Sequence, residues 1–174
     1  IFGLCKQLWI RENAPEAFKK TVRWLNTADF IAWKLCGVPA TDYSLASRTF
    51  ALNIQNLEYE NELLKEVGIP CNWYQTLVSS GTFLGNVLPE TAKITGLSSD
   101  CKVSSGGHDH LVGALIAGAT NQGTLINSMG TAEAVTLFLD KPVYDKAVGS
   151  HGYVQGVIVA DRPYYYHLGG LFTS

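Results

Sequence analysis

Residues 103–119, VSSGGHDHLVGALIAGA, contain a change of pattern from which the rest of the chain can be interpreted. The residues CKVSS (101–105) predict a short strand, and apolar residues recur at helical spacing after Gly106 and Gly107. The predicted buried stripe of this helix consists of Leu111, Val112, Leu115, Ile116 and Ala119. Asp109 falls in the first turn, where a helix N-terminus favours an ionised carboxylate by about 0.3–1 kcal/mol. The segment therefore predicts an acid at a strand-to-helix turn.

Asp109 has two interpretations from its local sequence. An acid in a first turn starts helices well, which is a purely structural role. The paired glycines before it would let a ligand approach the backbone and leave the acid uncovered, which favours a functional role. His108 and His110 flank the acid, but residues two apart on a helix do not share a face. We therefore predict no metal site here.

The residues before this segment predict a layer of helices. Asn13 is the expected cap of a helix that has Pro15 in its first turn. Apolar residues at helical spacing, Phe18, Val22 and Leu25, predict one buried face for it.

A second helix and a connector follow. Thr27 is the expected cap of ADFIAWKLC (28–36), and Gly37 provides a left-handed stop. The next segment, TDYSLASRTFALNI (41–54), is rich in side chains that bond the backbone in turns and caps. They are Asp42, Ser44, Ser47 and Thr49. A structured connector and a ligand-facing loop are both consistent with these residue types.

Glycines divide residues 59–97 into short elements. The helices predicted in YENELLKEVGI (59–69) and LPETAKITGL (88–97) each end at a glycine. Between them, short strands are expected around turns at Gly81 and Gly85.

The last third of the chain predicts two hairpins. They lie in GTLINSMGTAEAVTLFLD (123–140) and HGYVQGVIVADRPYYYHL (151–168), where β-prone runs flank turn residues. We place a domain boundary near residue 119, where helices and connectors give way to hairpins.

The tip of the first predicted hairpin is a second candidate site. A Gly-Thr pair at a tip can offer backbone N–H groups and a hydroxyl to a phosphate oxygen. Such pairs are also frequent in ordinary turns. Gly130 and Thr131 alone therefore do not distinguish a site from a turn.

The composition describes a globular chain of one or two domains. Its 174 residues are 47% apolar and 16% charged, which is enough to bury a core. A net charge of −2 with scattered Lys and Arg excludes nucleic acid and anionic membranes as expected partners. Apolar runs are too short to span a bilayer, and we expect a cytoplasmic protein. The four cysteines form no CxxC pair, which predicts reduced, mostly buried thiols.

The ends of the chain have the character of internal sequence. Ile1 lies within a helical pattern, the only Met is Met129, and the chain stops at GGLFTS (169–174). We therefore expect a segment of a longer protein.

Seven segments, taken in order, resemble the FGGY family of carbohydrate kinases. They are KQLWIRENAPE (6–16), WLNTADFIAWKLCG (24–37), TDYSLASRT (41–49), SGTFLG (80–85), GLSSD (96–100), GGHDHLVGAL (106–115) and SMGTAEAV (128–135). The resemblance implies an α/β chain with the actin-like ATPase (ribonuclease-H-like) fold. It also implies that 1–119 is the later part of the N-terminal, sugar-binding domain and 120–174 the start of the C-terminal, nucleotide-binding domain.

The resemblance implies ATP-dependent phosphorylation of a sugar or polyol hydroxyl, with Asp109 as the base. His110 matches a position that tends to contact substrate, and His108 is a weaker candidate. Gly130 and Thr131 match the family's phosphate-binding hairpin.

ATP and Mg²⁺ are the implied cofactors, with most of their ligands expected outside these residues. The segment alone is therefore expected to be inactive. Ala132 stands where the family usually has Ser, and no individual role follows for TDYSLASRT.

The expected partner is a small sugar or polyol, with no nucleic acid and no membrane, and a homodimer is left open. An anionic sugar acid would need a fixed Arg or Lys near Asp109, so a neutral ketose or polyol is favoured. Two other classes stay open, namely a non-catalytic sugar-binding or regulatory relative and a metal-dependent hydrolase built on His108, Asp109 and His110.

Overall fold

The computed structural model describes residues 2–118, 120–130 and 133–171. The helices in these ranges are α1 (Gly3–Asn13), α2 (Pro15–Lys20), α3 (Thr27–Cys36), α4 (Tyr43–Ser47), α5 (Asn61–Glu66), α6 (Pro89–Thr95), α7 (Asp109–Ile116) and α8 (Lys146–Ser150). The strands are β1 (Ala40–Asp42), β2 (Leu52–Asn53), β3 (Glu58–Tyr59), β4 (Thr76–Val78), β5 (Phe83–Asn86), β6 (Lys102–Ser104), β7 (Leu125–Met129), β8 (Glu133–Leu139), β9 (Val154–Val159) and β10 (Pro163–Leu171). No helix in these ranges is long and apolar enough to cross a membrane.

Proline and glycine set several helix boundaries where the sequence predicts them. Pro15 and Pro89 are the first residues of α2 and α6. Gly37 and Gly96 follow the ends of α3 and α6 with a φ of 77°, which is the left-handed conformation that glycine adopts without steric cost.

The predicted caps of the first helices are wrong. Asn13 is the last residue of α1, and its side-chain amide donates a hydrogen bond to the carbonyl of Trp9. Thr27 lies inside α3, and Asn26 precedes it. The Asn26 side chain donates to the Asp29 carboxylate at 2.8 Å and makes no cap bond.

The second helix is shorter than the apolar spacing predicts. It ends at Lys20, so the face predicted from Phe18, Val22 and Leu25 does not form, and Val22 is 81% exposed. Thr21 and Val22 are both β-branched, which lowers their preference for helix. The helical spacing of these three apolar residues therefore does not reflect a helix.

Three further expectations are corrected. Gly85 lies inside β5 at an irregularity of its pairing with β6, whereas Gly81 lies between strands as predicted. Ile116 is 83% exposed, so the buried face of α7 is narrower than predicted, and Ala119 lies outside the described residues. Cys36 is buried, but the other free cysteines, Cys5, Cys71 and Cys101, are exposed.

The sheets differ between the two parts of the chain. The first part contains two-stranded sheets, in which β1 pairs with β4 in parallel while β2–β3 and β5–β6 are antiparallel. The last part forms an antiparallel sheet of order β7-β8-β10-β9. Both predicted hairpins are confirmed, with Met129 paired to Glu133 and Pro163 paired to Val159.

The core that matters for the site lies between α7 and this four-stranded sheet. Its buried members are Leu111, Ala114, Phe138, Ile158 and Tyr166. Burying a side chain such as that of Leu111 stabilises the fold by about 1.5–3 kcal/mol. This packing fixes the axis of α7 and therefore the place of its first residue, Asp109.

Candidate functional site

Asp109 starts α7 with its carboxylate open to solvent, the side chain being 85% exposed. Its Oδ1 accepts a hydrogen bond from the backbone N–H of His110 at 2.8 Å. Among the described residues, no protein group donates a hydrogen bond to Oδ2. One oxygen is thus held in place while the other is available to a ligand.

The two histidines both approach Asp109. Nδ1 of His108 lies 3.3 Å from Oδ1, and Nε2 of His110 lies 3.8 Å from the same oxygen. Their ring centroids are 5.3 Å apart. Helical spacing predicts that the two histidines do not share a face, and this is wrong. His108 precedes the helix, with extended backbone at φ −65° and ψ 126°. Within the described ranges, no group of three or more His, Cys, Asp or Glu side chains is placed to hold a metal ion.

The surroundings of Asp109 and His108 lower the pKa of both side chains. The N–H of His110 lowers the pKa of Asp109 below its ordinary value, and the two histidine rings lower it further. Burial lowers the pKa of His108, although the carboxylate of Asp109 acts in the opposite direction. Nδ1 of His108 is buried and makes no hydrogen bond despite its distance from Oδ1. At neutral pH the site therefore presents a carboxylate beside an uncharged His108.

A cleft of about 460 Å³ opens beside Asp109, which is within the size range of small-molecule sites. Its lining residues come from α7 with the residue that follows it and from β7, and are Asp109, His110, Gly113, Ala114, Ala117, Ile126, Asn127 and Ser128. Small residues on the helix side leave room, while the strand side offers an amide and a hydroxyl. Neither Lys nor Arg is among these lining residues.

The tip of the first hairpin adjoins this cleft. Gly130 is exposed and comes directly after β7, whose residues Asn127 and Ser128 line the cleft. The side-chain amide of Asn127 donates to the carboxylate of Glu133 across the hairpin. Thr131, the other residue of the predicted phosphate-binding pair, lies outside the described residues.

A buried polar cluster lies behind the start of α7, in the segment to which the sequence assigned no individual role. The Asp42 carboxylate accepts hydrogen bonds from the N–H groups of Ser44 and Leu45, each at 3.0 Å. It also accepts from the hydroxyls of Ser44 and Ser80, each at 2.8 Å. Ser44 Oγ in turn accepts a hydrogen bond from the N–H of His108 at 2.8 Å. Of the two interpretations of this segment, the structure supports the connector.

Gly107 permits this contact. A Cβ at this position would lie 2.7 Å from Cγ2 of Val112, 3.2 Å from Oγ of Ser80 and 3.3 Å from Oγ of Ser44. Side chains of the protein, and not a ligand, therefore lie against the Cβ direction of Gly107. A Cβ on Gly106, in contrast, would meet nothing within 4 Å.

Ser47 connects the same helix, α4, to the four-stranded sheet. Its Oγ donates to the carbonyl of Tyr43 at 2.8 Å and accepts from the N–H of Val157 in β9 at 3.1 Å. Gly156 allows the close approach, because a Cβ there would lie 2.9 Å from Cβ of Ser47 and would also overlap the Tyr166 phenol. The segment 42–47 thus contacts both β9 and His108, the residue that precedes α7.

The chain belongs to the FGGY family of carbohydrate kinases. Residues 1–116 match the model of the family's N-terminal domain.

Its relatives are sugar kinases by name. The chain is 35% identical over 144 residues to a xylulose kinase from Bacillus subtilis (strain 168), covering 83% of this chain and 29% of that protein. It is 31% identical over 130 residues to an L-fuculokinase from Escherichia coli (strain K12), covering 75% of this chain and 27% of that protein. The chain thus spans less than a third of the length of these relatives.

The fold is shared with solved structures. The ligand-bound xylulose kinase from Lactobacillus acidophilus superposes with a TM-score of 0.85 at 24% identity, covering 97% of this chain and 34% of that chain. The predicted α/β chain of actin-like ATPase fold is confirmed.

Proposed function

We propose that the protein containing this chain transfers a phosphoryl group from ATP to a hydroxyl of a neutral sugar or polyol, with Asp109 as the general base. The observation that carries the proposal is an ionised carboxylate at the edge of a cleft of about 460 Å³, whose Oδ2 accepts no hydrogen bond from the described residues. Membership of the FGGY family and the names of the relatives support this chemistry.

Asp109 is suited to accept a proton from a substrate hydroxyl. Its lowered pKa keeps it ionised at neutral pH, and a hydroxyl in the cleft can approach Oδ2 to about 2.6–3.2 Å. As the hydroxyl is phosphorylated, its proton passes to Oδ2, while Oδ1 stays bonded to the N–H of His110. The carboxylate is thereby oriented without losing its basic oxygen.

The histidines have different proposed roles. His110 lines the cleft and is the proposed substrate contact. His108 is absent from the cleft lining and its backbone is bonded to Ser44, so we assign it a role in orienting Asp109.

The described residues fit one end of an ATP–Mg²⁺ site. When bound, ATP with Mg²⁺ supplies the phosphoryl group and neutralises the charge that develops on it. Exposed Gly130 at the end of β7 can direct a backbone N–H toward a phosphate oxygen, and Thr131 is proposed to contribute its hydroxyl. The cleft holds one carboxylate and no Lys or Arg, so further ligands for the metal and the phosphates must come from other residues.

The cleft lining favours an uncharged substrate. Ser128, Asn127 and His110 offer hydrogen bonds to hydroxyl groups, whereas a sugar acid needs a fixed cation for its carboxylate. We therefore assign a neutral ketose or polyol, in the class that the names xylulose kinase and L-fuculokinase indicate for the relatives.

The proposal includes a division of the chain. Residues 1–119 belong to the sugar-binding domain and 120–174 to the nucleotide-binding domain, so the cleft between α7 and β7 lies where the two meet. A cytoplasmic location remains a prediction, and a homodimer is left open.

The test is sugar-dependent ADP release by the complete gene product, with xylulose, L-fuculose, glycerol and gluconate compared by kcat/KM. We expect a neutral substrate to give the highest value and the 174-residue segment, used as the control, to give none. A highest value for gluconate would contradict the substrate class. Sugar binding without ADP release would instead identify a non-catalytic relative. Stoichiometric zinc or manganese in the purified protein would favour the metal-dependent hydrolase.

A further inference from the structure

We infer that Ser44 is a positioning residue for Asp109 and that Asp42 is its anchor. This inference rests on the proposed function, because it assigns the two residues to the orientation of the proposed base. Ser44 Oγ donates to the Asp42 carboxylate and accepts from the N–H of His108, the residue immediately before Asp109.

The hydrogen bond from Ser44 to Asp42 fixes the orientation of the Ser44 hydroxyl, and so the direction from which Oγ can accept a second hydrogen bond. A serine hydroxyl has one hydrogen and two lone pairs, and an ionised carboxylate only accepts. The hydrogen of Ser44 is therefore committed to Asp42 at 2.8 Å, and a lone pair is left for the His108 N–H, also at 2.8 Å. Both residues are fully buried, which makes this short chain of bonds strong and poorly replaced by water.

A second element holds the same anchor. Ser80 donates its hydroxyl to Asp42 at 2.8 Å, and its backbone N–H donates to the carbonyl of Val159 in β9 at 2.8 Å. The carboxylate of Asp42 is thus fixed from α4 and from the loop between β4 and β5. None of the described donors to this carboxylate comes from α7 or from the cleft lining.

The consequence is specific to Asp109, because that side chain has little other restraint. Its described hydrogen bond is to the N–H of its own neighbour His110, which moves with it. The backbone at His108 therefore sets the direction from which the carboxylate enters the cleft. A misplacement of about 1 Å in a reacting group can cost on the order of 10²-fold in rate.

The α4 helix provides a matched control. Ser44 and Ser47 are both buried serines that accept a hydrogen bond from one distant backbone N–H, that of His108 for Ser44 and that of Val157 for Ser47. Replacing each by Ala removes one such bond, but only Ser44→Ala removes the bond next to Asp109.

The first readout is the rate of amide hydrogen exchange in the 174-residue chain, monitored by NMR. In Ser44→Ala we expect exchange at His108 to accelerate by about 3- to 10-fold, the loss of one hydrogen bond, with Val157 unchanged. In Ser47→Ala we expect the opposite: hydrogen exchange at Val157 accelerates and that at His108 is unchanged. Ser44→Thr keeps the hydroxyl and should restore protection at His108.

The second readout is steady-state kinetics of the complete gene product. Ser44→Ala should lower kcat by about 10- to 100-fold with KM for the sugar changed less than about threefold, while Ser44→Thr recovers and Ser47→Ala retains most of the activity. Equal losses of kcat in Ser44→Ala and Ser47→Ala would overturn the inference, as would unchanged exchange at His108 in Ser44→Ala.

Two outcomes keep the inference separate from other failures. If Ser44→Ala does not fold, Ser44→Cys, a weaker acceptor of similar shape, is judged by the same two readouts. If the unmodified gene product releases no ADP with any sugar, the proposed function fails, and no catalytic positioning remains even if His108 loses its protection.

Discussion

Asp42 and Asp109 each lie at the start of a helix, and their surroundings are opposite. Asp42 precedes α4, is 1% exposed, and has both oxygens occupied by backbone and hydroxyl donors of the protein. Asp109 begins α7, is open to solvent, and has a single described hydrogen bond, on Oδ1. Both positions suit an acid, because each lies at the positive end of a helix.

The comparison separates structural from chemical use of the same residue type. A carboxylate that is buried and bonded by the protein on both oxygens stabilises the fold and is out of reach of a substrate. One that keeps an oxygen free beside a cleft contributes less to stability and can accept a proton. Replacing each aspartate by Asn therefore tests the distinction, with turnover measured for Asp109 and the free energy of unfolding measured for Asp42.

The largest effect is expected for Asp109→Asn in the complete gene product. Asn keeps the size and can still start the helix, but it removes the basic oxygen. We expect kcat to fall by a factor on the order of 10² or more, with sugar affinity nearly unchanged. Turnover and equilibrium sugar binding are the measurements, and near-normal turnover would restore the purely structural interpretation of Asp109.

Asp42→Asn should lower the stability of the 174-residue chain. The new NH₂ group would replace either the oxygen that accepts from the N–H of Leu45 or the oxygen that accepts from Ser44 and Ser80, so at least one buried donor loses its acceptor. We expect the free energy of unfolding to fall by about 2–3 kcal/mol. Urea unfolding measures it, with Asp109→Asn as the matched control, for which less than about 0.5 kcal/mol is expected because that side chain is exposed.

The glycine pair sharpens the comparison at the point where the two acidic regions meet. Gly107→Ala would force a Cβ to within 2.7 Å of the stiff Val112 side chain and against the hydroxyls around Asp42. We expect a loss of about 1–2 kcal/mol in the free energy of unfolding. Gly106→Ala is the control, because its Cβ would meet nothing within 4 Å. Equal losses for the two variants would show that α7 does not pack on the cluster.

The smallest effect is a pH dependence of stability that passes through His108. Burial lowers its pKa in the folded state, so below about pH 6.5 the unfolded chain binds the proton more readily than the folded chain. This contribution to stability is complete above about pH 6.5 and is lost as the pH falls toward the folded-state pKa. Burial shifts His167 in the same direction.

Urea unfolding at pH 7.5 and pH 5.5 checks this sign. The original chain should be less stable at pH 5.5, and His108→Gln should show a smaller difference between the two values. The lowered pKa of Asp109 acts only below about pH 4 and does not enter this range. An unchanged difference in His108→Gln would assign the effect to other groups.

Local signals in the sequence predicted the elements whose causes are local. Pro15, Gly37 and Gly96 act within one turn of their own position, and the two hairpins depend on residues that are adjacent in the chain. The position of Asp109 at the start of a helix was also predicted, because strand, glycines and apolar stripe follow one another directly.

What the sequence did not indicate depends on distant partners. The contact of Ser44 with His108 and that of Ser47 with Val157 have no local pattern, since a hydroxyl can bond any nearby N–H. The same limit applies to Gly107, whose close neighbours include Ser44 and Ser80 from earlier segments. The sequence therefore did not indicate that the Cβ direction of Gly107 faces the protein.

The bonds of α4 also constrain the order in which the chain can fold. The bond between Ser44 and His108 spans 64 residues and that between Ser47 and Val157 spans 110. Closing such long loops costs conformational entropy before any contact is gained, and folding rates fall as contacts become more distant in sequence. Isolated α4 and α7 helices, of five and eight residues, are too short to persist alone. The oriented carboxylate of Asp109 is accordingly a late product of folding, formed only after the 64-residue loop between Ser44 and His108 has closed.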